Sequence, residues 1–350
     1  MEKTRYNNNM PERCASSTAR HQVGHSPGRT IIITHRRTPT RKGKKKVTMY
    51  EAFFNLKIKP FELVPNPDFL YMSRTHKRAL YYLYYGIKER AGFILLTGEV
   101  GSGKTTLISD LINRIDANVN LARVFNTKVS SEQLIAMIND DFGLDVKGKD
   151  KVVMLNELND FLIEQHARGN NSVLIIDEAQ NLKPDILEEI RMLSNLETDT
   201  AKLLQIILVG QPELRELLAL SRLRQLRQRI SINCRISPLT RLETEEYIFH
   251  RLEVAGNREA VTFSDGCLDI IFQYCRGIPR LVNIMCDYLL LTAFMEEKKT
   301  LDAAMVRDIV EDLDFEALYW GSKQPELDEN EPKITINRSA LLEALGLEGE

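Results

Sequence analysis

Between residues 75 and 236 two hydrophobic periods take turns along the chain. Apolar runs of five or six residues occupy 93–97, 121–126, 172–176, 204–209 and 232–236, each bounded by polar or glycine positions, as buried strands are. Between and after them the apolar positions recur at three- and four-residue spacing, predicting helices near 104–115, 130–141, 151–167, 184–195 and 212–219. Strands that alternate with helices build a parallel sheet with helices on both faces and ligand loops at the carboxyl ends of the strands. After Pro238 the pattern is helical throughout, with helices expected at 243–255, 265–275, 279–296 and 302–313. Gly277-Ile278-Pro279 reads as a helix stop followed by a proline suited to a first turn.

The flanks are less regular. Residues 49–67 hold Phe53, Phe54, Pro60, Phe61, Pro65 and Pro67, which predicts an ordered wrap rather than a helix. A helix is expected from Thr75 to Glu89 with Ala79, Leu80, Leu83 and Ile87 on its apolar face. Its tyrosines, Tyr81, Tyr82, Tyr84 and Tyr85, are expected to pack on the core, stacking on nucleobases being the other use of such rings. From Gly321 an acidic, proline-containing linker leads to the short apolar patch Leu341-Leu342-Glu343-Ala344-Leu345, a frayed terminus or a partner-docking helix. The expected partition is a basic leader at 1–48, an αβα nucleotide-binding domain with its wrap at 49–237, a helical lid at 238–318, and an acidic linker and tail at 319–350.

Charge changes the picture only at the N-terminus. Residues 1–48 carry twelve Lys/Arg against two Asp/Glu, whereas the remainder carries 35 against 47, so a net charge of −2 hides an arm of +10 on a body of −12. Such an arm binds nucleic acid or anionic lipid. Alternatively it is a translated leader ahead of a start at Met49, because Lys42-Gly43-Lys44-Lys45-Lys46 implies purine-rich codons where a bacterial ribosome-binding site lies. It lacks apolar periodicity and is expected to be disordered. The longest apolar stretches fall far short of a membrane span and no hydrophobic signal peptide opens the chain, so a cytoplasmic protein is expected. Five cysteines without a CxxC pair or a histidine cluster indicate neither a disulfide framework nor a zinc site.

Chemistry enters at Gly98-Glu99-Val100-Gly101-Ser102-Gly103-Lys104-Thr105, between the first strand and its helix. Glycines let backbone N–H groups turn inward around an anionic oxygen, and the helix start adds its partial positive charge. Lys104 is expected at the β- and γ-phosphates of ATP and the Thr105 hydroxyl on magnesium, with Thr106 completing the nucleotide-binding set. A second motif, Ser172-Val173-Leu174-Ile175-Ile176-Asp177-Glu178, ends a buried strand in two carboxylates. Neighbours on a strand point to opposite faces, which gives the two acids different roles. Asp177 is the candidate for magnesium and Glu178 for the attacking water.

An αβα nucleotide domain followed by a helical lid resembles the AAA+ ATPase plan. More narrowly, residues 49–315 resemble the ATPase domain of the general secretion pathway protein A family, through Met49-Tyr50-Glu51-Ala52-Phe53-Phe54, Pro67-Asp68-Phe69-Leu70-Tyr71, Asp177-Glu178-Ala179-Gln180, Leu193-Ser194-Asn195-Leu196-Glu197-Thr198, Val209-Gly210-Gln211-Pro212-Glu213-Leu214 and Gly277-Ile278-Pro279-Arg280-Leu281-Val282-Asn283. That resemblance implies that Gln211 is a first sensor contacting the γ-phosphate or its water, and that Arg280 is a second sensor coupling nucleotide state to the lid. It also implies that Arg229 or, in the same arginine-rich helix, Arg227 reaches a neighbouring subunit's nucleotide. Gln211 could instead cap the helix after it. Full-length members continue into a transmembrane helix and a periplasmic domain; the acidic tail here fits the short relatives encoded with the MSHA pilus and with exosortase-linked exopolysaccharide loci. The implied function is a Mg-ATP-dependent motor or switch for an envelope secretion, pilus or export system, working as a homo-oligomer with an inner-membrane partner and peripheral to that membrane. The other reading is a DNA-associated ATPase, similar to transposition target-selection and replication-origin ATPases.

Overall fold

The computed structural model describes residues 49–125, 127–198 and 201–320. The basic leader and the apolar patch near residue 341 lie outside them. Five strands, β1 (Phe93–Gly98), β2 (Val119–Val124), β3 (Asn171–Ile176), β4 (Gln205–Gly210) and β5 (Ile230–Ile236), form one sheet in the order β2-β3-β4-β1-β5. Every pairing in it is parallel. The three central strands are buried at every position, whereas β2 and β5 at the edges mix buried with partly exposed residues. Burial on both faces is what makes a parallel strand read as a continuous apolar run. Because β4 lies between β3 and β1, the loops after Ile176, Gly98 and Gly210 emerge side by side.

The chain enters through a one-turn helix, α1 (Met49–Phe53), and an irregular stretch that runs to α2 (Arg74–Lys88). A turn of helix therefore opens the segment expected to be non-helical. One sheet face is covered by α2 and α3 (Lys104–Arg114), whose Ala79, Leu83, Ile87, Leu107, Ile108 and Leu111 share a core with Ile94, Leu96, Ile175 and Val209. The other face carries α4 (Ser131–Asp141), α5 (Lys151–Ala167), α6 (Pro184–Leu193), α7 (Glu213–Ala219) and α8 (Arg224–Arg229).

The expectation that the α2 tyrosines pack on the core is overturned: Tyr81 is 74% exposed, Tyr85 58%, Tyr82 48% and Tyr84 39%. A helix lying on a sheet buries one stripe. Here His76, Ala79, Leu83, Gly86 and Ile87 fill it, and Gly86 sits so close that a Cβ there would lie 2.5 Å from Ile94 Cδ1.

The lid comprises α9 (Arg241–Val254), α10 (Cys267–Cys275), α11 (Pro279–Met295), α12 (Ala303–Asp312) and α13 (Phe315–Trp320). It is not wholly helical, because β6 (Thr262–Phe263) pairs in parallel with β7 (Thr300–Leu301). Two-residue strands are too short to leave a period in the sequence. The lid core also takes in Tyr50, Phe54, Leu56, Phe61 and Phe69. The N-terminal wrap, grouped by sequence with the nucleotide domain, is thus packed with the lid. The Tyr50 hydroxyl donates to Asp287 on α11 at 2.7 Å, and burial with this contact raises its pKa far above the usual phenol range. Among the described residues no helix is long and apolar enough to cross a membrane.

Candidate active site

Where β1 ends, the chain turns through Glu99–Gly103 into α3. Gly101 has φ +75°, and a Cβ there would sit 2.5 Å from Arg280 Cβ. Only glycine allows both the backbone conformation and this approach of the lid. The Arg280 N–H donates to Gly101 O at 3.3 Å, so the first turn of α11 rests on the phosphate loop. On the other side of that turn, Gly277 (φ +71°) would place a Cβ 2.0 Å from Leu239 O, and the Leu239 N–H donates to Gly277 O. One backbone contact thus rests α11 on the Gly98–Thr105 loop and another ties the start of the helical region to the turn before α11, and neither tolerates a side chain at its glycine.

Lys104, buried at the start of α3, donates through Nζ to Gly98 O at 2.8 Å and Glu99 O at 2.9 Å. Its burial lowers the ammonium pKa, against the opposing fields of Glu178, Asp177, Glu99 and Glu213. This cation is held by two loop carbonyls, in the field of four carboxylates. The next residue, Thr105, donates through Oγ1 to Asp177 Oδ2 at 3.2 Å. Two hard oxygen donors thus converge, the donor type that magnesium takes. Asp177 Oδ1 accepts the Glu178 N–H at 3.0 Å, while Arg123 on β2 stands 3.5 Å from Oδ2. The buried Ser102 hydroxyl has no partner among the described residues.

Glu178 occupies the left-handed region (φ 52°, ψ 38°) as the chain leaves β3. Held strain of about 1–3 kcal/mol at a non-glycine residue persists where its surroundings over-determine it. Two amides do so here: Gln180 Nε2 and Gln211 Nε2 donate to the same carboxylate oxygen at 2.6 and 3.1 Å. Gln180 Oε1 in turn accepts the Gln211 N–H at 3.1 Å. The Gln211 side chain therefore joins β4 to Glu178, and α7 has no side-chain cap.

Two further contributors gave no motif in the sequence. His76 on α2 contacts Ser102 O through Nε2 at 3.0 Å and Ser73 Oγ through Nδ1 at 2.7 Å. A carbonyl only accepts, so the neutral ring carries its proton on Nε2. Burial lowers the His76 pKa. Arg251 on α9, 6% exposed, donates to Pro60 O, Glu62 O and the Tyr247 hydroxyl, and its guanidinium stacks 4.6 Å from the Phe69 ring centroid. It ties the wrap to the lid. Its neighbours Leu63, Val64 and Asn66 line the same cleft as the phosphate loop, Glu178, Gln211 and Arg280. Only a paired proline and phenylalanine pattern hinted at this wall in the sequence.

Arg229 lies apart from that cleft. It donates to Arg191 O at 3.1 Å and Ser194 Oγ at 2.5 Å at the end of α6, whereas Arg227 donates to Leu218 O and Ala219 O at the end of α7. The fold brings together the phosphate loop, Thr105, Asp177, Glu178, Gln211 and Arg280, and leaves Arg229 outside its own chain's site.

A family model described as AAA domain matches residues 87–218. General secretion pathway protein A of Aeromonas hydrophila is 42% identical over 247 residues, which is 70% of this chain and 45% of that protein's own length. Among solved structures, the Aeropyrum pernix ORC2 protein superposes with a TM-score of 0.54 at 19% identity, covering 73% of this chain and 71% of that one. Drosophila ORC bound to DNA gives 0.56 at 16% identity, covering 84% and 72%. At such identities these two likenesses carry the fold alone.

Proposed function

The chain belongs to the general secretion pathway protein A family, and on that premise we propose that its AAA+ P-loop ATPase module turns over ATP with magnesium to drive or switch a bacterial envelope secretion, pilus or exopolysaccharide-export system. One observation carries the reading. Lys104, Thr105, the amide-held Glu178 and the lid residue Arg280 line one cleft, with Asp177 bonded to Thr105 behind it, and the cleft wall is built from both domains.

The roles follow from charge and reach. Lys104 exchanges its two loop carbonyls for phosphate oxygens, which suit a cation better. Thr105 and Asp177 would hold magnesium, which supplies positive charge to the phosphates when bound. Glu178, aimed by Gln180 and Gln211, orients a water and takes its proton. Arg280 reports the nucleotide to the lid because its own backbone rests on Gly101. Arg229 serves a neighbouring copy in a homo-oligomer, and the partner driven is an inner-membrane component. No observation in the site favours the DNA-associated alternative.

Two variants test the chemistry. Lys104→Ala should abolish ATP binding, and Glu178→Gln should keep ATP while losing about 10²–10⁴ of turnover, since an amide accepts no proton. Unchanged ATP affinity in the first, or wild-type turnover in the second, removes the assignment.

A further inference from the structure

The outward face of α2 has no part in the ATPase site. At one residue per 100° of helix, Arg74, Arg78, Tyr81, Tyr85 and Lys88 fall on one stripe opposite the buried Ala79 and Leu83. Lys77, Tyr82 and Tyr84 flank it, and all of these residues are exposed. The helix carries no carboxylate from Arg74 to Lys88, in a body whose net charge is −12. Among the described residues none of its four cations pairs with an acid, and none of the four tyrosine hydroxyls has a protein partner. Beside the stripe, a polar crevice lined by Arg78, Tyr82, Asn233 and Arg235 lies along the seam where α2 packs on the edge strand β5.

We infer that this face docks the protein on an anionic lipid surface. Tyrosines are amphipathic rings that settle at headgroup depth, where the ring meets the acyl boundary and the hydroxyl meets water. Lys and Arg beside them lie within a Debye length of anionic headgroups, and the Arg78–Arg235 crevice suits a headgroup phosphate. The stripe holds tyrosine rather than leucine or isoleucine at its crest, which favours adsorption over insertion. A single nucleic-acid strand would instead need a groove along which its backbone runs, and the outer side of a helix is convex. The inference does not rest on the envelope role proposed above; it stands on the composition and exposure of α2.

The test is co-sedimentation of the full chain with phosphatidylglycerol–phosphatidylethanolamine vesicles and, separately, with phosphatidylcholine vesicles. Tyr81→Ser/Tyr85→Ser and Arg74→Gln/Arg78→Gln/Lys88→Gln are run alongside, with ATP turnover in solution measured on each preparation. Residues 1–48 are common to all three proteins, so differences between them report α2. The expected result is binding to the anionic vesicles that falls with salt, at least tenfold weaker partitioning for either variant, and unchanged turnover. Variants that partition like the wild type, or a wild type indifferent to lipid charge, would overturn it. So would variants whose vesicle binding is intact while binding to single-stranded oligo(dT) is lost. Absent turnover in every preparation would strike the ATPase reading and leave the docking result standing.

Discussion

Glu178 and His76 show how single side chains are set by partners far away in sequence. The Glu178 carboxylate receives two amides on one oxygen, one of them from Gln211, 33 positions away. His76 is neutral, buried and bonded to the phosphate loop. Its pKa in the folded protein lies below the ordinary 6.5, so between those values the unfolded chain binds more protons than the folded one. The stabilisation from the neutral ring is complete above about pH 6.5 and declines as the pH falls from there toward the lowered folded value. Urea unfolding at several pH values should show that decline in the wild type and a flatter profile in His76→Gln. Parallel profiles would show that His76 does not titrate in this window.

At the scale of elements, the wrap and α9 act as one wall because Arg251 bonds to Pro60 O and Glu62 O. Arg251→Met would leave those carbonyls and the Tyr247 hydroxyl short of a buried donor. The expected cost is about 3 kcal/mol in denaturant unfolding, with weaker ATP binding and an intact phosphate loop. A variant as stable as the wild type would mean that water replaces the guanidinium. Gly277→Ala acts inside the lid, since its Cβ would meet Leu239 O at 2.0 Å in a left-handed backbone. It should cost about 2 kcal/mol or more and lower the melting temperature. A melting temperature equal to the wild type's would show that Leu239 can retreat.

At the scale of the whole molecule, Arg229 lies outside its own chain's cleft, bonded to Arg191 O and Ser194 Oγ. If Arg229 completes a neighbour's site, Arg229→Ala should bind ATP normally and hydrolyse it poorly, because the developing charge loses a donor supplied in trans. Mixing it with Glu178→Gln should restore part of the activity, since one interface then pairs an intact Glu178 with an intact Arg229. Arg227→Ala serves as the control, removing the cap on the end of α7 instead. Wild-type turnover by Arg229→Ala, independent of protein concentration, would return Arg229 to its bonds with Arg191 and Ser194.

The alternation of apolar runs and helical periods was enough to find β1 to β5 and the helices between them apart from the short α8, because burial on both faces of a parallel sheet writes itself into every residue of its central strands. The Gly98–Thr105 loop and the Asp177-Glu178 pair stood out in the sequence as candidates, since the chemistry proposed for them demands particular residues at adjacent positions. The Gln211 bond to Glu178, the His76 contact with Ser102 and the Arg251 tie to the wrap join residues 26 to 191 positions apart, and no local period records them. Nor could periodicity decide the α2 tyrosines. It marks the stripe that faces the sheet, but whether the other faces are covered depends on what packs there, and only the tertiary structure left them open.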